Sequence, residues 1–370
     1  MGDQHFEPTL ESVREKTRGS HRSRHYAGPV ITLATNQGVD PVLLDFDPEM
    51  QLGHNETLGG GVKRVATEQF RLAAAGFFDG EEVFADAIHE MRKSMKRVRA
   101  LLRLVRGELG ERIYHYENRY LADTARLMAA PRAATAMVLT IELIREIYGE
   151  FLAEGTFEEM TVRLAARRDT IHLQVMEDPG LTARVVRNLE KAHNRYASWS
   201  TDPDAMEVYG MGIRDEFIAI RPGFRATYVR GRREMVKAYS QPTSYNFHQW
   251  RKRAKYLRHQ MEFLAPIWPE VVVGMAMTLD RLGSLLGEDH DLAELVNLFR
   301  ERPDLTPNLR ERSLLLALVG QRRSELRLAA EILGRRVYAE NPGPFTARFG
   351  EYWESRQLAL NTPFDTLTTY

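Results

Sequence analysis

HEMRKSMKRVRALLRLV, residues 89–105, and HQWRKRAKYLRHQMEFL, residues 248–264, are two versions of one stretch. At a constant offset of 159 residues, His89 pairs with His248, Arg92 with Arg251, Lys93 with Lys252, Lys96 with Lys255 and Arg99 with Arg258. The same shift pairs apolar Met91 with Trp250, Val98 with Leu257, Leu102 with Met261, Leu104 with Phe263 and Val105 with Leu264. It also sets Arg163 over Arg322 and Arg168 over Arg327. Self-similarity at a fixed spacing is the signature of a repeated structural unit, so the chain reads as two related halves.

Each residue of an α-helix advances about 100°, so the five shared positions fall on one face. That face reads His, Arg, Lys, Lys, Arg in both halves, and the opposite face is apolar. Amphipathicity alone predicts a buried side and a polar side. It does not predict the shortage of acids. Between His89 and Arg106 seven Arg or Lys residues stand against Glu90 alone, and between His248 and Arg258 there are five and no acid. Like charges one turn apart cost about 0.2 to 0.5 kcal/mol per pair, and a solvated face relieves this with interspersed Glu. One such helix could still be a solvated face; the same five residue types at the same five positions twice favour a face that meets an external anion. Arginine offers a planar fork, lysine a compact charge and neutral histidine one N–H donor, a set suited to phosphoryl groups in several orientations. Arg225, Tyr228 and Arg232 share a face just before the second stripe, and Lys63 and Arg64 hold a comparable place before the first.

The rest of the chain sets the frame. From Val62 onward, segments rich in Ala, Leu, Arg, Glu and Met are punctuated at Gly107, Gly110, Pro131, Gly149, Pro179, Pro203, Pro222, Pro242, Pro269, Gly287 and Pro303. Strand-period alternation is nearly absent, which predicts an all-α bundle. Residues 1–60, with an apolar stretch at Val30–Ala34 and a glycine run at Gly59–Gly61, read as an extended or partly disordered arm, residues 61–205 as the first bundle and residues 215–370 as the second. With 43% apolar and 28% charged residues the composition is globular, and a net charge of zero leaves only the local distribution of charge to speak for a polyanion. There is no cysteine, hence neither a disulfide nor a thiolate site. No membrane span, export signal or cofactor is expected, and the expected place is the cytoplasm.

The stripes resemble those of the CHAD domain, the conserved histidine α-helical domain, with support from FRATYVRGRR, from LGEDHD at Leu286–Asp291 and from GRRVYAENPGPF at Gly334–Phe345. The resemblance covers about residues 62–355. It implies two four-helix bundles related by a pseudo-twofold axis, with the stripes lining a central basic cavity that holds inorganic polyphosphate, in some settings beside storage granules. It assigns His89, Arg92, Lys93, Lys96, Arg99, Arg225, Tyr228, Arg232, His248, Arg251, Lys252, Lys255, Arg258 and Arg322 to that ligand, with no catalytic residue and no metal. The chain departs from the pattern where Arg132 is followed by Ala133 in place of an Arg-Asp pair, at Ser94 against Arg253, and at Arg97 against Tyr256.

Competing motifs are weaker. Glu288, Asp289, His290 and Asp291 are consecutive, so on a helix they point around it instead of converging on one ion. HEMRK lacks the second histidine of the zinc motif HExxH, and LGGGVKR lacks the ending of a phosphate-binding Walker loop, so it reads as a linker. A phosphohydrolase or phosphotransferase needs carboxylates or a metal beside the cations. A nucleic-acid binder needs aromatics interleaved with them, for which only Tyr228 and Tyr256 are candidates.

Overall fold

In the computed structural model the described residues are 48–77, 84–200 and 212–361. They form eleven α-helices: α1 (Leu58–Ala75), α2 (Phe84–Leu104), α3 (Arg106–Leu127), α4 (Ala129–Tyr148), α5 (Glu158–Met176), α6 (Pro179–Ala197), α7 (Phe217–Ser240), α8 (Ser244–Leu264), α9 (Pro269–Glu301), α10 (Leu309–Val337) and α11 (Pro342–Asn361), with no strand among the described residues. The all-α reading therefore holds. Val30–Ala34, most of the expected N-terminal arm and much of the expected boundary between halves lie outside the described residues.

Helix starts follow local chemistry. The Thr57 side chain accepts from Gly60 N at the head of α1, Asp178 accepts from Leu181 N before Pro179 of α6, Thr243 accepts from Asn246 N at α8, and Asn308 caps α10. The reading of LGGGVKR as a linker needs correction, because these residues open α1. Here glycine serves close packing: a Cβ on Gly61 would stand 2.6 Å from Leu52 Cδ1. The segment before α1 is also held by the second half, with Leu52 N donating to Phe263 O at 3.0 Å and Arg356 donating to the carbonyls of Gly53 and His54. Pro131, Pro222 and Gly287, expected as breaks, lie inside α4, α7 and α9. Gly110, at φ 73°, does kink α3.

Shifted by 159 residues, α1 falls on α7, α2 on α8, α5 on α10 and α6 on α11 to within a few residues, apart from the longer α10, and the α3–α4 pair falls on the single long α9. Neighbours correspond as well. α1 packs on α2 and α6, α7 on α8 and α11, and α2 packs directly on α8. The apolar clusters do not separate by half, however. The larger draws on α1, α2, α3, α6, α7, α8, α11 and the first part of α9, with Val175 of α5 and Ala330 and Val337 of α10; the smaller joins α4 and most of α5 to the end of α9 and to the first two-thirds of α10. A helical hairpin with one apolar face must bury it against another element, and here each hairpin uses the other half's. Among the described residues no single helix is long and apolar enough to cross a membrane; α3 and α4 reach that length only as a pair bent by 59°.

Candidate anion-binding site

The apolar sides of α2 and α8 decide where the stripes point. Met91, Val98 and Leu102 of α2 and Trp250, Leu257 and Met261 of α8 are buried, which turns His89, Arg92, Lys93, Lys96 and Arg99, and likewise His248, Arg251, Lys252, Lys255 and Arg258, away from the core. Gln260 Nε2 of α8 donates to Ala100 O of α2 at 3.0 Å, so the two stripe helices touch backbone to side chain.

At its inner end the cluster is short of counter-charge. Lys96 and Lys255 have neither a hydrogen bond nor an ion pair among the described residues. Burial pulls the Lys96 ammonium down to about 7; Arg251, Arg92 and Arg132 push the same way and Asp291 opposes them. Lys255 is held well below the ordinary lysine range, by Arg251 first, then by burial, Lys96 and Arg258. Cations of one stripe thus act on those of the other. Burial also keeps the imidazoles neutral: His89 falls to about 4, His248 to about 3 and His290 to about 4, with neighbouring cations adding to each. The rings of His248 and His290 lie 4.0 Å apart, and His248 Nδ1 is buried without a hydrogen-bond partner.

The long helix α9 is shaped to admit these side chains. A Cβ on Gly287 would stand 3.1 Å from Arg251 Nη2 and 3.3 Å from its Nε, and one on Gly283 would stand 3.6 Å from Lys255 Cγ and Cε. Both glycines are buried one turn apart on the face that α8 covers. The Lys255 stem and the Arg251 guanidinium therefore lie along the α9 backbone.

Other expected site residues are engaged elsewhere. Arg92 Nη1 donates to Ala125 O near the end of α3, Lys93 pairs with Glu90 at 3.2 Å, and Arg99 Nε donates to Asn118 Oδ1 at 3.0 Å. Arg258 pairs with Asp280 at 3.0 Å and lies 3.7 Å from Glu262. Arg322 is neutralised by Glu288 at 2.6 Å and by Glu325. Lys252 is exposed, and partial desolvation of its ammonium, with Arg253 and Arg99 nearby, lowers its pKa.

The group before the second stripe is not brought to the cluster as a unit. Tyr228 is fully buried, stacked on Phe345 at 3.8 Å, and its hydroxyl donates to the carbonyls of Val337 and Glu340, so it is a core residue with no surface for a ligand. Arg232 donates to Asn341 Oδ1, and Arg225 lies in a groove along α7 with Arg221, Val229 and Arg233. Arg64 binds Glu56 and two carbonyls ahead of α1, and Lys63 binds Trp199 O. Arg97 is buried and donates to Gln69.

Three groups at the cluster were not assigned to a ligand from sequence: Arg132 of α4 and His290 and Asp291 of α9. Repeat alignment singles out identical types, whereas these reach the cluster only because α4 and α9 pack together beside α2 and α8. Among the described residues no group of three His, Asp or Glu is arranged to hold a metal ion.

Comparison with curated proteins gave no match. The family model for the CHAD domain matches residues 64–300, a span that holds both stripes, Arg132 and the Gly283–Asp291 face but stops short of Arg322 and GRRVYAENPGPF. This chain belongs to the CHAD domain family.

Proposed function

We propose that this protein binds a linear polyanion, inorganic polyphosphate, across the inner ends of both stripes without consuming it. The reading rests on one observation: Lys96 and Lys255, from different halves, are half-buried beside other cations and have no carboxylate within ion-pair distance among the described residues. Keeping Lys96 charged at neutral pH costs the ligand-free protein a few kcal/mol, on the order of 1.4 per pKa unit. A chain of phosphates removes that cost, and it accepts from the neutral histidines as well. On this reading the halves are related by a pseudo-twofold axis that passes between α2 and α8, and the cluster forms one cavity. Arg251, Lys255, Lys96, Arg132, His248 and His290 hold the ligand at the centre. Arg92, Lys93, Arg99 and Lys252 extend it outward.

Polyphosphate suits the site better than nucleic acid does. Tyr228 lies in the core, and Tyr256 is buried with the Arg103 guanidinium 4.0 Å over its ring, so neither offers a free face for a base. Phosphoryl transfer needs groups that position a nucleophile and stabilise charge in flight. Asp291 opposes the cations around Lys96, and it has no hydrogen-bonded partner among the described residues. Titration of the purified protein with polyphosphate, short oligophosphates, RNA and DNA at equal charge concentration tests this reading. Polyphosphate should bind most tightly and survive incubation with Mg²⁺ or Mn²⁺. Phosphate release abolished by Glu288→Gln or Asp291→Asn would establish an enzyme instead.

A further inference from the structure

The face of α9 that carries Gly283 and Gly287 continues one turn further to Asp291, at i, i+4 and i+8. Lys255 lies over the first glycine and Arg251 over the second, so the side chain at the third position projects where the cations of α8 are already gathered. Arg132 of α4 and Lys96 of α2 reach the same place, and all four act on the Asp291 carboxylate. Yet Asp291 makes no hydrogen bond and no ion pair within 4.0 Å among the described residues. It is a half-buried acid that faces cations from three helices without closing on any of them. Other acids near the stripes have committed partners: Asp280 pairs with Arg258, Glu288 with Arg322, and Asp289 with Arg323 and Arg327.

We propose that Asp291 is the built-in counter-ion of this cluster, holding its cations together in the ligand-free protein and competing for them with an incoming polyanion. The proposal rests on the cluster being the polyanion site. A fixed carboxylate near the centre of the cations lowers the repulsion among Lys96, Arg132, Arg251 and Lys255 when the site is empty. The same carboxylate repels a phosphate that approaches them. Affinity is then limited by Asp291, and neutralising it, by substitution or by a proton, strengthens binding. Burial already favours the protonated acid and the cations oppose that; a bound polyanion would screen them and tip the balance towards proton uptake. The cations that act directly on this carboxylate are Arg251 and Lys255 of α8, Arg132 of α4 and Lys96 of α2; His89 of α2, His248 and Lys252 of α8, His290 of α9 and Arg323 of α10 join the same cluster through those cations.

Asp291→Asn keeps the shape and removes the charge. Against polyphosphate of defined length at fixed salt, the variant should bind about tenfold more tightly than the wild type, the size expected of one charge at close range in a partly desolvated site. It should also melt at lower temperature when ligand-free. Glu294→Gln, an exposed acid on the same helix, controls for net charge and should change affinity little. Calorimetry at pH 5.5 in two buffers of different ionisation enthalpy should show fewer protons taken up per ligand by Asp291→Asn than by the wild type. Equal or weaker binding by Asp291→Asn, an equal gain from Glu294→Gln, or unchanged proton uptake overturns the proposal. If the wild type itself fails to bind polyphosphate, the functional reading fails and takes this inference with it. Should Asp291→Asn not fold, Asp291→Ser takes its place with the same outcomes: tighter binding and less proton uptake than the wild type support the counter-ion role, and equal or weaker binding overturns it.

Discussion

At the scale of single residues, the candidate site depends on one glycine, Gly287, as well as on its cations. Gly287→Ala would bring a methyl group to 3.1 Å from Arg251 Nη2 and must displace the guanidinium, whereas Gly283→Ala meets Lys255 at an ordinary 3.6 Å. Alanine favours a helix interior by about 0.5 to 1 kcal/mol over glycine, so neither change should lower the melting temperature. We expect Gly287→Ala to weaken polyphosphate binding severalfold with stability kept, and Gly283→Ala to leave binding close to wild type. Equal binding by both variants in a titration would remove Arg251 from the ligand. The stripe residues were legible in the sequence because helical spacing exposes a repeated face. Gly287 read only as punctuation, since nothing local shows that a side chain from another helix will cross it. Tyr228 was misjudged for a related reason: it shares a helical face with Arg225 and Arg232, but α11 covers it with Phe345.

Elements are fixed by close approaches that the helical pattern does not reveal. A Cβ on Gly223 would stand 2.2 Å from the carbonyl oxygens of Arg103 and Leu104, so α7 crosses the end of α2 at a distance only glycine permits. The opposing atoms are backbone and cannot swing away, which makes Gly223→Ala an overpacked substitution that costs about 1 to 3 kcal/mol. Chemical denaturation should show that loss as a lower midpoint with an unchanged slope; a wild-type midpoint would mean that α7 does not cross there. That the chain is helical could be read from periodicity, but the number of helices could not, because Pro131, Pro222 and Gly287 lie inside helices instead of ending them. Their pairing across halves could not, because an apolar stripe says that a face is buried without saying by which neighbour. The smaller apolar cluster shows this, with Ile141, Ile144 and Leu164 of the first half packed in one group with Leu292, Leu295 and Leu326 of the second.

For the whole molecule, a neutral sequence conceals a concentrated cluster of charge. His248 at about 3, and His290 and His259 at about 4, lie below the usual histidine range, chiefly through burial. Between those values and the unfolded value near 6.5 the unfolded chain binds more protons, so stability falls as pH drops through that window. Lys96, at about 7 when folded, gives the same sign between about 7 and its ordinary value of 10.5, with stability rising as pH rises. Melting temperatures of the ligand-free protein should therefore increase from pH 5 to pH 9, and polyphosphate should protect most at the acidic end, where it meets the most cationic site. A melting temperature that peaks near pH 5 would contradict the burial of these groups. The central claim is that both stripes serve one ligand, and paired charge removal tests it most directly. With polyphosphate affinity measured at fixed moderate salt, Arg92→Gln with Lys96→Gln, and separately Arg251→Gln with Lys255→Gln, should each weaken binding at least tenfold and by comparable amounts, since charge-assisted hydrogen bonds contribute about 1.5 to 3 kcal/mol each. Wild-type affinity in either double variant would contradict a shared site.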